Sequence, residues 1–146
     1  MAVTTFAAID IGSYEVSMKI FEMSKRTGFR EINDVRYQLE LGRGTYAAGR
    51  LEMETGDELC GILDDFKRMM ADFGVESWRA CATSSLRELE NPVIILEQIF
   101  QRTGIRVEIL SNAEQHFLGY KSIAAIESGF KKAIQKGTAI LDIGGG

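Results

Sequence analysis

The sequence predicts a mixed α/β sheet with flanking helices. Three observations carry that expectation: three extended stretches in the first forty residues joined by connections too short for helical crossovers, a later alternation of helical and extended segments, and apolar spacing that shifts from a period of two to a helical period. Thr5–Ile11 is a short apolar run. Glu15–Met23 alternates, with Val16, Met18, Ile20 and Glu22 on one face, and Gly12-Ser13 turns between the two stretches. After a turn at Lys25-Arg26-Thr27-Gly28, a third extended stretch runs over Phe29–Leu41, completing an antiparallel meander.

Leu41–Leu51 holds Gly42, Gly44 and Gly49 and reads as a loop. The clearest helix follows, where Leu59, Ile62, Leu63, Phe66, Met69, Met70 and Phe73 recur at i, i+3, i+4 and i+7. Thr55-x-x-Glu58 supplies a capping box for it and Gly74 a stop. Trp78–Thr83 reads as a strand. Asn91-Pro92 opens a second helix, a cap residue followed by proline at the first helical position, and Gly104 closes it. Ile105–Leu110 is extended again, and Ser111-x-x-Glu114 opens a third helix to about Ser128. A last strand, Thr138–Ile143, leads into Gly144-Gly145-Gly146.

Composition narrows the class. With 146 residues, 45% of them apolar and 26% charged, the chain suits one domain, or one plus a fragment, and argues against disorder. No apolar run approaches the roughly 18–20 residues of a bilayer span, and the first residues lack the pattern of a signal peptide. Cys60 and Cys81 stand alone beside a single histidine, His116, too few ligands for a zinc site or a disulfide framework, so a reducing cytoplasm is the expected compartment. The net charge of −4 falls within residues 1–73 and the remainder is balanced, so no basic face for nucleic acid is visible. A strand running into three glycines is a poor place for a domain to stop, and the sequence is expected to end inside a longer protein.

Two turns echo one another: Ile9-Asp10-Ile11-Gly12-Ser13 and Leu141-Asp142-Ile143-Gly144-Gly145 both read strand, Asp, apolar, Gly, small. An Asp at the end of a strand, followed by glycine, sets a carboxylate beside exposed backbone N–H groups. The amides can bind phosphoryl oxygens and the carboxylate Mg²⁺, while an added Cβ would block close approach. Asp-Gly pairs are also common in plain turns, but two copies, each closing an apolar strand, favour the phosphate reading.

Two such loops across a cleft are the arrangement of the actin-like ATPase and sugar kinase superfold. From about Phe6 to Gly146 the chain resembles the N-terminal part of the exopolyphosphatase and guanosine pentaphosphate phosphohydrolase (Ppx/GppA) family. The resemblance is carried by Ala8–Ser13, by Leu41-Gly42-Arg43-Gly44 with Gly49-Arg50-Leu51, by Ala82-Thr83-Ser84-Ser85-Leu86-Arg87-Glu88 with Asn91, by Gly104–Ser111, and by Asp142–Gly146. It implies a ribonuclease H-like domain over residues 1–130, then a linker, first strand and Gly-rich loop of a second such domain over 131–146. It also implies hydrolysis of a terminal phosphoanhydride, releasing orthophosphate from inorganic polyphosphate or guanosine pentaphosphate, in a full-length homodimer. Glu114 matches the family's water-activating carboxylate, and Asp10 and Asp142 its Mg²⁺ ligands. Gly12, Ser13 and Gly144, Gly145 and Gly146 match the two phosphate loops, and Arg87 an arginine of the cleft.

Each assignment has a structural competitor. Glu114 is explained equally by its capping box, and Arg87 by a surface position on a first helical turn. His116 reads as solvated, as do Arg43 and Arg50. The family normally has Asn and then a small hydroxyl residue where this chain has Tyr14-Glu15, and S-G-x-E-E-A where it has Ser111-Asn112-Ala113-Glu114-Gln115-His116. These departures leave open a second function, a non-catalytic phosphate or alarmone sensor, binding guanosine tetraphosphate without turnover. A third is an ATP-dependent kinase of the same superfold. The strand over 138–143, its partners lying beyond Gly146, is expected to be disordered, to pack on its own domain, or to pair with a neighbouring chain.

Overall fold

The computed structural model describes residues 3–26, 28–126, 129–135 and 137–141. Its strands are β1 (Thr4–Ile11), β2 (Glu15–Ser24), β3 (Gly28–Gln38), β4 (Ser77–Ala82) and β5 (Val107–Ile109), in one sheet of order β3-β2-β1-β4-β5. Short connections leave β2 antiparallel to both β1 and β3, whereas helical crossovers make β4 parallel to both β1 and β5. This is the mixed sheet that the sequence predicts. The helices are α1 (Leu41–Ala48), α2 (Met53–Asp72), α3 (Ser84–Arg87), α4 (Pro92–Thr103), α5 (Asn112–Ile126) and α6 (Phe130–Ile134).

Alternation along the strands decides which face is buried. Ala7, Ile9 and Ile11 of β1, Val16, Met18 and Ile20 of β2, and Ala80 and Ala82 of β4 share one core with Leu59, Ile62, Leu63, Phe66 and Met70 of α2 and Ile99 of α4. The opposite face carries Asp10 and a charged ladder. Lys19 pairs with Glu31 at 2.7 Å and Asp34 at 3.1 Å, and Arg79 of β4 pairs with Glu108 of β5 at 2.6 Å. Among the described residues no helix is long and apolar enough to cross a membrane.

Several expected boundaries move, for local reasons. Residues 41–48 are helical rather than a loop: Leu41, Gly42 and Thr45 are buried, and the Thr45 hydroxyl donates to the Leu41 carbonyl at 3.0 Å. Packing thus outweighs the low helix propensity of two glycines, and Gly49, at φ 64°, closes the helix. Helix α2 begins at Met53, so Thr55 lies inside it and caps nothing. Phe73 falls just past its last turn and is exposed, and Met69 is only partly buried. Pro92 opens α4 and Gly104, at φ 75°, ends it as expected, although Asn91 makes no side-chain cap. Strand β5 is shorter than expected, and the helices α3 and α6 carry too few residues for a periodic signal.

The expected last strand is absent from its described portion. Residues 137–141 are irregular and lie outside the sheet, with Leu141 86% exposed. Ile140 and Leu141 border a surface hollow together with His116, Tyr120 and Ile123 of α5, and both are exposed. Asp142 and Gly144–Gly146, the expected second phosphate loop, lie outside the described residues.

Candidate active site

Ligands of open α/β sheets gather at the carboxyl ends of parallel strands. Here those ends belong to β1 and β4, which lie side by side with Ile11 opposite Ala82. The chain leaves β1 through Gly12-Ser13. The Gly12 N–H donates to the Glu15 carbonyl at 2.9 Å, closing the turn, and a Cβ at Gly12 would stand 3.0 Å from that same oxygen. Gly12 is therefore required by the turn itself, and its amide is spent there. Among the described residues, the N–H groups of Ser13 and Tyr14 donate to no backbone carbonyl of the turn.

Two further segments close on this turn. From the Leu41-Gly42-Arg43-Gly44 segment, the Gly42 N–H donates to the Ser13 carbonyl at 2.9 Å, and a Cβ at Gly42 would meet the Tyr46 ring at 2.7 Å. From the segment after β4, the Ser85 hydroxyl donates to the Gly12 carbonyl at 3.3 Å and the Thr83 N–H to the Ile11 carbonyl at 3.4 Å. At the centre the Ser13, Tyr46 and Ser84 hydroxyls form a triangle, with Ser13–Tyr46 at 2.7 Å, Tyr46–Ser84 at 2.8 Å and Ser13–Ser84 at 3.2 Å. Ser13 is buried at 6% exposure, while Tyr46 is 45% exposed. The motif segments quoted from the sequence thus meet in space, although they lie about 30 and 70 positions apart in the chain.

Asp10 is the last outward-facing residue of β1, between Ser17 of β2 and Cys81 of β4. Its carboxyl is held above the usual aspartate range, first by desolvation and then by the charge of Glu15. It receives no hydrogen bond from the described residues. Burial raises the Cys81 thiol; Arg79 opposes this shift, and Glu108, Asp10 and Glu114 reinforce it, so Asp10 and Glu114 both act on one position of this face.

Glu114 completes the expected capping box. Its N–H donates to the Ser111 hydroxyl oxygen at 3.3 Å, and Oε2 accepts from the Ser111 N–H at 2.9 Å and the Ser111 hydroxyl at 2.8 Å. These bonds hold its carboxyl below the usual glutamate range. Oε1 has no partner among the described residues. Arg87 is neither a solvated surface residue nor a free fork: Nη1 donates to the Leu110 carbonyl at 2.7 Å and Nε lies 3.7 Å from Glu88. It ties α3 to the end of β5, one residue before Ser111. Arg43 and Arg50 are exposed beside Glu40 and Glu90, and His116 is exposed, as the sequence suggests.

Among the described residues, no three His, Cys, Asp or Glu side chains converge on a metal site. A single carboxylate nevertheless suits Mg²⁺, which takes one or two protein carboxylates and fills its shell with water and substrate phosphate. Asp10, whose charged form is disfavoured and on which no described cation acts, has the chemistry such a ligand needs. Tyr46 is the residue that sequence reasoning missed. Its signal, a tyrosine four positions after Gly42, becomes readable only once residues 41–48 are known to be helical.

Known proteins resemble the chain in sequence and in fold. Exopolyphosphatase 2 of Mycobacterium tuberculosis is 27% identical over 154 aligned positions, covering 100% of this chain and 47% of that protein. Exopolyphosphatase 1 of the same organism is 23% identical across 79% of this chain and 33% of its own length. The guanosine-5'-triphosphate,3'-diphosphate pyrophosphatase of Vibrio parahaemolyticus is 25% identical across 96% of this chain and 27% of its own length. The chain therefore spans less than half the length of these relatives. Among solved structures, the Ppx/GppA family member of Aquifex aeolicus superposes with a TM-score of 0.79 at 28% identity, over 84% of this chain and 40% of that one. The expected ribonuclease H-like, actin-like ATPase fold is thereby shown. With the sequence pattern of the family matching residues 20–146, the chain belongs to the Ppx/GppA phosphatase family.

Proposed function

We propose that the protein hydrolyses a terminal phosphoanhydride, releasing orthophosphate from inorganic polyphosphate or from guanosine pentaphosphate. The observation that carries this reading is the meeting of three motif segments on the Gly12-Ser13 turn, beside a carboxylate at the end of the central strand. Ser13 and Tyr14 offer amides, and Ser13 a hydroxyl, to a terminal phosphoryl group, in the manner of backbone nests that bind anions. Asp10 would hold Mg²⁺, which when bound neutralises charge on the phosphoryl oxygens. Asp142 and Gly144–Gly146, outside the described residues, are assigned by resemblance to the facing metal and phosphate loop.

Glu114 would take the proton of the attacking water on Oε1, since Oε2 is committed to Ser111. Arg87 would act by fixing the Leu110-Ser111 corner from which α5 and Glu114 start. One observation favours the second reading, a phosphate or alarmone sensor. The capping box lowers the basicity of the Glu114 carboxylate, whereas a general base works best poised nearer neutrality.

Phosphate release from polyphosphate and guanosine pentaphosphate by the full-length protein separates the two. Turnover that falls at least a hundredfold in Glu114→Gln supports the hydrolase, in line with the usual contribution of general base catalysis, about 10²–10⁴. Equal rates in the two remove Glu114 from the mechanism. Tight alarmone binding without turnover selects the sensor.

A further inference from the structure

We propose that Tyr46 is a positioning residue of the phosphate site, its hydroxyl ordering those of Ser13 and Ser84 so that Ser13 presents its proton to an incoming phosphoryl oxygen. The inference rests on the phosphate-site reading above and adds a residue to it.

The geometry begins with Gly42. Because this position has no side chain, the Tyr46 ring, one helical turn on in α1, lies across it, with Cε2 where a Cβ would come within 2.7 Å. The ring's path carries Oη out of α1 to two other elements, the turn after β1 and the first residue of α3. No other described side chain hydrogen-bonds both Ser13 and Ser84.

Counting protons shows what the triangle does. Three hydroxyls carry three protons and make three mutual contacts, so without an anion each proton is used inside the ring. Tyr46 donates to Ser84 at 2.8 Å. Ser84 then donates across the 3.2 Å side to Ser13, and Ser13 closes the ring on Tyr46. An anion at the turn takes the Ser13 proton, and the remaining bonds run as a relay from Tyr46 through Ser84 to Ser13 and on to the phosphoryl oxygen. Tyr46 heads that relay because a phenol is more acidic than an aliphatic alcohol, and hydrogen bonds in series strengthen one another. The same contacts hold Ser13 in one rotamer before the ligand arrives, which lowers the ordering cost of binding. Replacing Oη by hydrogen leaves the buried Ser13 hydroxyl its contact with Ser84 at 3.2 Å and keeps the ring over Gly42.

The test is calorimetric binding of inorganic tripolyphosphate with Mg²⁺ to the full-length protein and to Tyr46→Phe, Ser13→Ala and the double variant, with urea melts to establish folding. Tyr46→Phe is expected to weaken binding about three- to tenfold, the range of one hydrogen bond. In the Ser13→Ala background the same change is expected to do nothing, because the relay no longer reaches the ligand. Without ligand, side-chain couplings of Ser13 should show one rotamer in the wild type and averaging in Tyr46→Phe. Ser84→Ala approaches the relay from its middle and should weaken binding in the same direction. Wild-type affinity in Tyr46→Phe, or an equal loss in both Ser13 backgrounds, overturns the inference while leaving the phosphate-site reading standing. Absence of tripolyphosphate binding by the wild type overturns both.

Discussion

Arg87→Met separates a tie within the fold from a free cleft arginine. Methionine keeps much of the length and apolar stem of the side chain but removes the guanidinium, leaving the Leu110 carbonyl without the donor now 2.7 Å away. Leu110 is only 6% exposed, so water replaces that donor poorly. A hydrogen bond from a charged group contributes about 1.5–3 kcal/mol, and the 3.7 Å pair with Glu88 at the surface adds little. A loss of about 2 kcal/mol is expected, which in a domain of this size lowers Tm by about 4–8 °C. Urea denaturation of wild type and variant measures it. Amide exchange adds a local signature: Leu110, bonded to the Ala82 carbonyl, and Gln115, bonded to the Ser111 carbonyl, should lose protection before the centre of β1 does. A stability change under about 0.5 kcal/mol, with Leu110 and Gln115 still protected, would refute the reasoning, because the cost of an unsatisfied buried carbonyl could not be that small.

Three other outcomes are expected. Phe66→Ala, at a fully buried site of α2 against Tyr37, should cost about 3–5 kcal/mol in a urea melt, and a loss under 1 kcal/mol would mean that the core closes over the gap. Ser111→Ala should move the titration of Glu114, followed by carbon NMR of its carboxyl, back up toward the ordinary glutamate value. Since the wild-type carboxyl is lowered, its contribution to stability is present above the unfolded-state pKa and disappears as pH falls through the folded value; an unchanged titration would sever Ser111 from Glu114. Asp10 has the opposite sign: its carboxyl is raised, so stability declines as pH climbs from the ordinary aspartate range through the folded value. Asp10→Asn should therefore raise Tm near neutral pH while weakening Mg²⁺ binding, and a lower Tm with unchanged Mg²⁺ affinity contradicts both roles.

What could be read in advance was whatever repeats along the chain. The apolar spacing of α2 located Leu59, Leu63, Phe66 and Met70 because one helix face is buried along its length. Short connections made β1, β2 and β3 antiparallel with no need of long-range information. The glycine-rich stretch misled because propensity is local, whereas Leu41 and Thr45 are helical by virtue of what they are buried against. Thr55-x-x-Glu58 has the letters of a capping box, but Met53 and Glu54 already continue the helix upstream, so the pattern falls one turn too late. At the site, Gly12, Ser13 and the Ser84–Arg87 segment could be singled out by resemblance. Their contacts could not, since a hydrogen bond from Tyr46 to Ser84 or from Arg87 to Leu110 depends on how distant segments stack.

The hydroxyl triangle also bears on the order in which the molecule assembles. Its sides join residues 33, 38 and 71 positions apart, and Ser85 reaches Gly12 across 73. Closing such spans costs chain entropy before any contact rewards it, so although the Gly12–Glu15 bond closes the turn after β1 locally, its hydroxyl cluster cannot be organised by near neighbours. A nascent or partly unfolded chain would carry the Asp10–Ser13 letters without the receptor they form. Anion affinity at this turn would thus serve as a gauge of the fully folded population, rising in step with docking of β4 and α1 rather than with the early hairpin of β1 and β2.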